Sequence, residues 1–323
     1  MSVYLVRRIV ATIPIALVTS VFVFAVMRIL PGDPVLLIAG EAQSDISPAV
    51  LDRIRHEHGL DRPVYVQYVT WMRKIATGDL GRSVRNGQPV ADILLPRLLP
   101  TAQIGVMAWL LALLIGIPAG VVAAVSPNSW KDWLGMIGAL AGAAMPYFLL
   151  GGVLIYVVAL QLRWLPASGY VSPFVDPLQS LRRSLMPAFT LALGLAAVTT
   201  RQSRSSLTEV LGQLYITTAR AKGLRERRVI LGHAFKNGML PVVTILGIQL
   251  GNLFGGAVIT ETIFAVPGTG RLLVEAIFAR DYAIVQAVVL LISLAVIVAN
   301  LAVDVAYGYL DPRIRLGRGR RRP

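Results

Sequence analysis

Few residues in this chain could do chemistry, and their spacing excludes most of it. There is no cysteine and there are only three histidines, so disulfides, thiolate nucleophiles and thiolate metal sites are out of reach. His56 and His58 flank Glu57. Two positions apart on a helix they point to different faces, unlike the i, i+4 pair that holds zinc in a metalloprotease. A solvated helix face is expected there, and no metal site. The chain contains no His-Glu-x-x-His run, no nucleophile elbow and no Gly-x-x-x-x-Gly-Lys-Ser/Thr phosphate loop. No residue is therefore assigned a catalytic role, and ATP hydrolysis is not expected in this chain.

What remains is polar chemistry set in apolar sequence. Gln249 and Asn252 interrupt one long apolar run, and a buried amide there either joins helices or meets a solute. Asn300 and Asp304 share a helix face at i, i+4. Asp304 lies seven residues before Asp311 and reads as an interfacial carboxylate paired with an Arg, not as a proton relay. Glu261 opens a stretch to Leu273 that re-enters or caps one mouth of the bundle, with the turn Pro267-Gly268-Thr269-Gly270 as a candidate gate.

The elements that must position these groups are membrane helices. Of 323 residues, 55% are hydrophobic and 15% charged, and mean hydropathy is +0.67. A soluble domain would carry about a quarter charged residues, so the expected class is an all-α polytopic membrane protein. Stretches long enough to cross the hydrocarbon core run at about 9–30, 101–125, 134–162, 186–200, 239–264 and 284–303. The fourth has only 15 uninterrupted residues before Arg201, so it either continues as a helix into the polar sequence beyond or is tilted little. The first is too long for a signal-peptide core and is expected to remain in the chain. Gly116, Pro118 and Gly120, Met145-Pro146, and the glycines between 247 and 256 read chiefly as positions of close helix approach or kinking.

Six spans place both termini on one side. That side collects 17 Lys and Arg against four acids, the other 14 against 12. Basic residues gather on the cytoplasmic side, so cytoplasmic termini are expected, in the cytoplasmic (inner) membrane of a bacterial-type cell. The same count explains the net charge of +14 without a nucleic-acid partner. Two polar regions remain: an external insert, 31–100, with helical stretches at Ser47–His58 and Val64–Ala76, and a cytoplasmic loop, 201–238. In the loop, Tyr215–Gly223 reads as a short helix closed by a left-handed glycine. Leu224–Asn237 reads as a second, amphipathic helix with Ile230, Leu231, Ala234 and Phe235 on one arc, and Pro241 falls in the first turn of the fifth span.

Residues 215–241 resemble the EAA loop of ATP-binding-cassette (ABC) importer permeases, in the form of the dipeptide, oligopeptide and nickel class (DppB/OppB-like subunits). The resemblance runs almost end to end: LPGDP (30–34), GLDRPVYVQY (59–68), GDLGRS (78–83), TARAKGL (218–224), LPVVTILGIQLG (240–251), ETIFAVPGTGRLL (261–273), ARDY (279–282) and LDPRIR (310–315). Thr217 and Thr218 stand where the general motif has an acid and an alanine, as is usual for the peptide class. The resemblance implies type I importer permease architecture and half of a translocation pathway for peptides or similar small solutes. It implies a second homologous permease, two cytoplasmic ATPases that bind ATP and Mg, an external substrate-binding (lipo)protein and contact with membrane lipid. By match of position, Thr218, Ala219, Arg220, Ala221, Lys222 and Gly223 would form the coupling helix, with Arg220 and Lys222 supplying exposed charge. Gln249, Asn252, Glu261, Pro267 and Gly268 are the pathway or gate candidates. The competing class is an ion-coupled secondary transporter, which would need a charge network inside the spans.

Overall fold

A computed structural model describes residues 2–29, 48–57 and 61–310. The turn at 30–34, His58 and the LDPRIR motif from Asp311 onward lie outside the described residues. All six apolar stretches are helical, but hydropathy alone misplaces most of their ends. Helix α1 spans Ser2–Ile29. The insert contributes α2, Pro48–Glu57, and α3, Val64–Ala76.

Helix α4 spans Val90–Val125 and starts eleven residues before the expected 101. Pro96 and Pro100 inside it hid that start, because proline reads as a helix stop. The third stretch is not one straight span. Helix α5, Trp130–Ala144, breaks at Met145, and α6, Tyr147–Leu154, continues as a π-helical stretch to Gln161, bent by 104° from α5. Pro146 holds Met145 in extended backbone, ψ 121°, which ends the helix.

Helix α7 spans Pro177–Leu211, far beyond the expected 186–200. Asp176 caps it by accepting the Gln179 N–H at 3.0 Å, and Pro177 occupies its first position. Its polar second half stays helical because its side chains find partners: Ser206 donates to the Gly238 carbonyl at 2.6 Å, and Arg204 meets Asp132. Helix α8 is Leu214–Ala221. The separate amphipathic helix expected at 224–237 is instead the start of the fifth span. A turn at Glu226–Arg228 and a π-turn at Val229–Ala234 lead without a break into α9, Phe235–Ile263, so Pro241 lies inside a helix. The π-turn also shifts the register. Val229 and Ala234 point inward together, whereas Leu231, assigned to the apolar arc at period 3.6, is 55% exposed. Helices α10, Thr269–Phe278, and α11, Tyr282–Leu310, complete the described chain.

Helix α7 is the most buried of the spans, with α4 laid along it. The close approach is made by two glycines one turn apart on α4. A Cβ at Gly116 would lie 2.7 Å from the Thr199 Cβ, and one at Gly120 would lie 2.5 Å from the Ser203 Cβ. Both glycines therefore serve helix packing. A central core joins Ile104 and Ala108 of α4, Leu191 and Leu195 of α7 and Leu253 of α9. Two smaller cores close the ends. One, at the insert end, joins Val90 and Leu94 with α10 and α11; the other, at the loop end, joins Ala124 and Leu207 with α8 and the π-turn.

Candidate functional site

At the loop end, α8 is a short knob held from beneath. Ile216 and Ala219, three residues apart, are buried against Ala124, Leu207, Val229 and Ala234. The opposite side is open: Leu214 is 85% exposed, and Thr217, Thr218 and Lys222 are exposed beside it. Two side-chain links tie the knob to the helix that follows. Asn237 Nδ2 donates to the Tyr215 hydroxyl at 3.0 Å. The Arg220 guanidinium donates to both oxygens of Glu226, at 3.1 and 2.7 Å.

Between these links the chain reverses at Gly223, φ +76°, whose N–H donates to the Arg220 carbonyl at 2.9 Å. A residue with a side chain is disfavoured at that φ. Nothing lies within 4 Å of the Cβ position, so the requirement for glycine is conformational and not steric crowding. Arg220 is exposed, as expected, and is also paired. Its charge is engaged within the loop, and the carboxylate beside it raises its pKa above the usual arginine value, while Lys222 remains exposed.

Behind the knob a second pair ties α5 to α7. Arg204 donates to both carboxylate oxygens of Asp132, at 2.5 and 2.7 Å, and Asp132 also accepts the Asn128 N–H at 3.0 Å. The signal for Asp132 was readable in Ser129-x-x-Asp132 at a helix start. Its partner 72 residues away was not.

Among the pathway candidates, Gln249 is buried and spends its amide on α7. Nε2 donates to the Leu195 carbonyl at 3.0 Å, and the Thr199 hydroxyl lies 3.4 Å from Oε1. The side chains of Asn252 and Asp304 lie outside the described residues. Glu261, Pro267 and Gly268 come together at the insert end. The Glu261 side chain is fully buried; Oε1 accepts the Thr101 hydroxyl at 2.5 Å, and Oε2 accepts the Arg271 N–H at 2.9 Å. Thr101 in turn accepts the Thr269 N–H at 2.8 Å. Gly268 is extended and faces the carboxylate, where a Cβ would overlap the Glu261 side chain. Glu261 therefore caps α10 from the end of α9 and ties both to α4.

Asp281, missed in the sequence, ties the start of α11 to the insert. It accepts the Ser83 hydroxyl and, at 3.3 Å, the Val84 N–H, while lying at the N-terminus of α11. An Asp directly before a long apolar helix was the available signal.

Comparison with known proteins places this geometry. Residues 1–104 match the family model for the N-terminal part of binding-protein-dependent transport system membrane components. Residues 116–316 match the model for the binding-protein-dependent transport system inner membrane component. The glutathione transport system permease protein GsiC of Escherichia coli K12 is 40% identical over 312 residues, 97% of this chain and 98% of that protein. The dipeptide transport system permease protein DppB of Alkalihalophilus pseudofirmus is 38% identical over 336 residues, 98% of this chain and all of that protein. Among solved structures, an inward-facing form of the methionine ABC transporter MetNI matches with TM-score 0.57 at 15% identity, over 68% of this chain and 96% of that one. An amino acid ABC transporter matches with TM-score 0.53 at 11% identity, over 68% and 94%. The knob at the loop end, the helical bundle behind it and these relatives together show that the chain belongs to the binding-protein-dependent transport system inner membrane components, as a permease subunit of an ABC importer.

Proposed function

We propose that this permease forms half of a translocation pathway for peptide-like solutes, glutathione and dipeptides being what its relatives carry, and pairs with a second, homologous permease. Two ATPases, which hold ATP and Mg, dock on the α8 knobs of the two permeases, and a substrate-binding protein delivers solute from the opposite side. The loop end is cytoplasmic, in keeping with its surplus of Lys and Arg. Thr218, Ala219, Arg220, Ala221, Lys222 and Gly223 form the coupling segment. The observation that carries this reading is the construction of α8: buried on one side, open on the other and linked at both ends to its neighbour. A segment held so firmly moves with α7 and α9 as one body, so closure of a docked ATPase reaches the spans directly.

Glu261, Pro267 and Gly268 form the fixed rim of the far mouth. Gln249 serves helix association, and Asn252 keeps the pathway role. The deciding experiment is uptake of labelled dipeptide and glutathione by cells carrying the complete transporter. Abolition by ATP depletion but not by an uncoupler is expected; the reverse pattern would establish an ion-coupled carrier.

A further inference from the structure

Helix α3, Val64–Ala76, has no buried residue. A free helix of 13 residues is marginal in water, so something must cover its apolar side. At 100° per residue that side is about 160° wide. One half, with Tyr68 and Trp71, rests on α1. The Tyr68 hydroxyl pairs with the Ser20 hydroxyl at 2.8 Å, and both rings lie within 5.6 Å of the Phe24 ring, centre to centre. The other half, Tyr65, Val69 and Ala76, falls within an arc of about 40°. It is largely open among the described residues: Tyr65 is 72% exposed and Val69 50%. The opposite arc carries Gln67, Thr70, Arg73 and Lys74, with Val66 as its one apolar residue.

We propose that α3 is an interfacial membrane helix, its Tyr65–Val69–Ala76 face covered by lipid acyl chains of the leaflet at the insert end. Two observations select lipid over a protein partner. Ser20 and Phe24, on which α3 rests, lie in the last turns of the apolar span 8–26 of α1, so the helix sits at the edge of the hydrocarbon and not above the membrane. Helix α3 also has no acidic residue, two tyrosines, a tryptophan and a basic last turn, the composition that anchors helices among headgroups. The proposal depends only on the chain spanning a membrane, not on its solute or coupling.

Single cysteines in this cysteine-free chain carry the test. The assembled transporter is placed in phospholipid nanodiscs, and spin labels at residues 65, 69, 70 and 74 are challenged with oxygen and with a water-soluble nickel chelate. Position 18 serves as the lipid reference and position 86 as the aqueous one. Labels at 65 and 69 should favour oxygen as at 18, and those at 70 and 74 the chelate as at 86. Preference for the chelate at all four positions would place α3 in water. Protection of 65 and 69 from both reagents would mean that a protein covers them. Either result overturns the proposal.

Discussion

The two ends of the bundle are held by opposite kinds of polar chemistry. At the insert end two carboxylates, Glu261 and Asp281, are buried and satisfied by neutral donors: the hydroxyls of Thr101 and Ser83 and backbone N–H groups. At the loop end the carboxylates meet guanidinium groups. Asp132, itself buried, pairs with a part-exposed Arg204, and only at the knob, between Glu226 and Arg220, are both side chains close to half exposed. A buried acceptor that loses its donors costs the full desolvation of the group, whereas an exposed pair is worth at most about 1 kcal/mol. The insert end is thus held in one arrangement by buried groups, as is the loop end at Asp132, while the knob itself carries an exposed pair of small worth and stays open to a partner.

That contrast is broken most directly at Glu261. Glu261→Ala leaves Thr101 and the Arg271 N–H without their acceptor in a closed site, and the expected loss is about 3 kcal/mol. It should appear as a clear fall in the thermal midpoint of the purified complex; an unchanged midpoint would show that the corner is not held by this group. Asp281→Ala should cost less, about 1–3 kcal/mol, because Val84 lies near the surface. Its mark is local, with faster amide exchange over residues 83–87 while the central helices stay protected. Uniform loosening of the whole bundle would contradict a local tie.

At the loop end, Gly223→Val forces a β-branched residue to φ +76° at a cost of about 1–2 kcal/mol. The spans should fold and insert normally, with weaker ATPase co-purification and weaker substrate-stimulated hydrolysis. Wild-type values on both measures would reduce the loop to a basic surface segment. Arg220→Glu should lower coupling modestly, and the exchange Arg220→Glu with Glu226→Arg should restore it, since a pair of this exposure is worth below about 1 kcal/mol. Failure of the exchange to rescue would mean that Arg220 contacts the ATPase itself. Gly232→Ala, in the open π-turn with nothing within 4 Å of its Cβ, should change stability by less than about 0.5 kcal/mol.

Local rules were most reliable where one residue decides the backbone. Gly223 was legible as a left-handed helix end because only glycine adopts that φ freely. They failed where a distant partner decides. Whether the fourth span continued as a helix into 201–211 stayed open, because nothing nearby in sequence shows that Arg204 meets Asp132 or that Ser206 meets the Gly238 carbonyl. The amphipathic reading of 224–237 failed because a single π-turn displaces every later side chain, and no composition signal marks it.

Sequence alone determined the class and the coarse layout. Apolar length requires helices in lipid, where no backbone group can go unpaired, and the ordered motifs from Leu30 to Arg315 identify the permease class. It also marked Gly223, because that is a property of one residue's backbone, and placed Met145-Pro146 among positions of close approach or kinking without showing that the span breaks there. Tertiary structure alone decided how Glu261 caps α10 while Asp281 ties the start of α11 to Ser83, that Arg220 meets Glu226, and which half of α3 is exposed among the described residues. These depend on groups brought together from 6 to 198 positions apart in the chain. Hydropathy and periodicity carry no information on such pairings, because both are sums over neighbours in sequence, and the pairings are made in space.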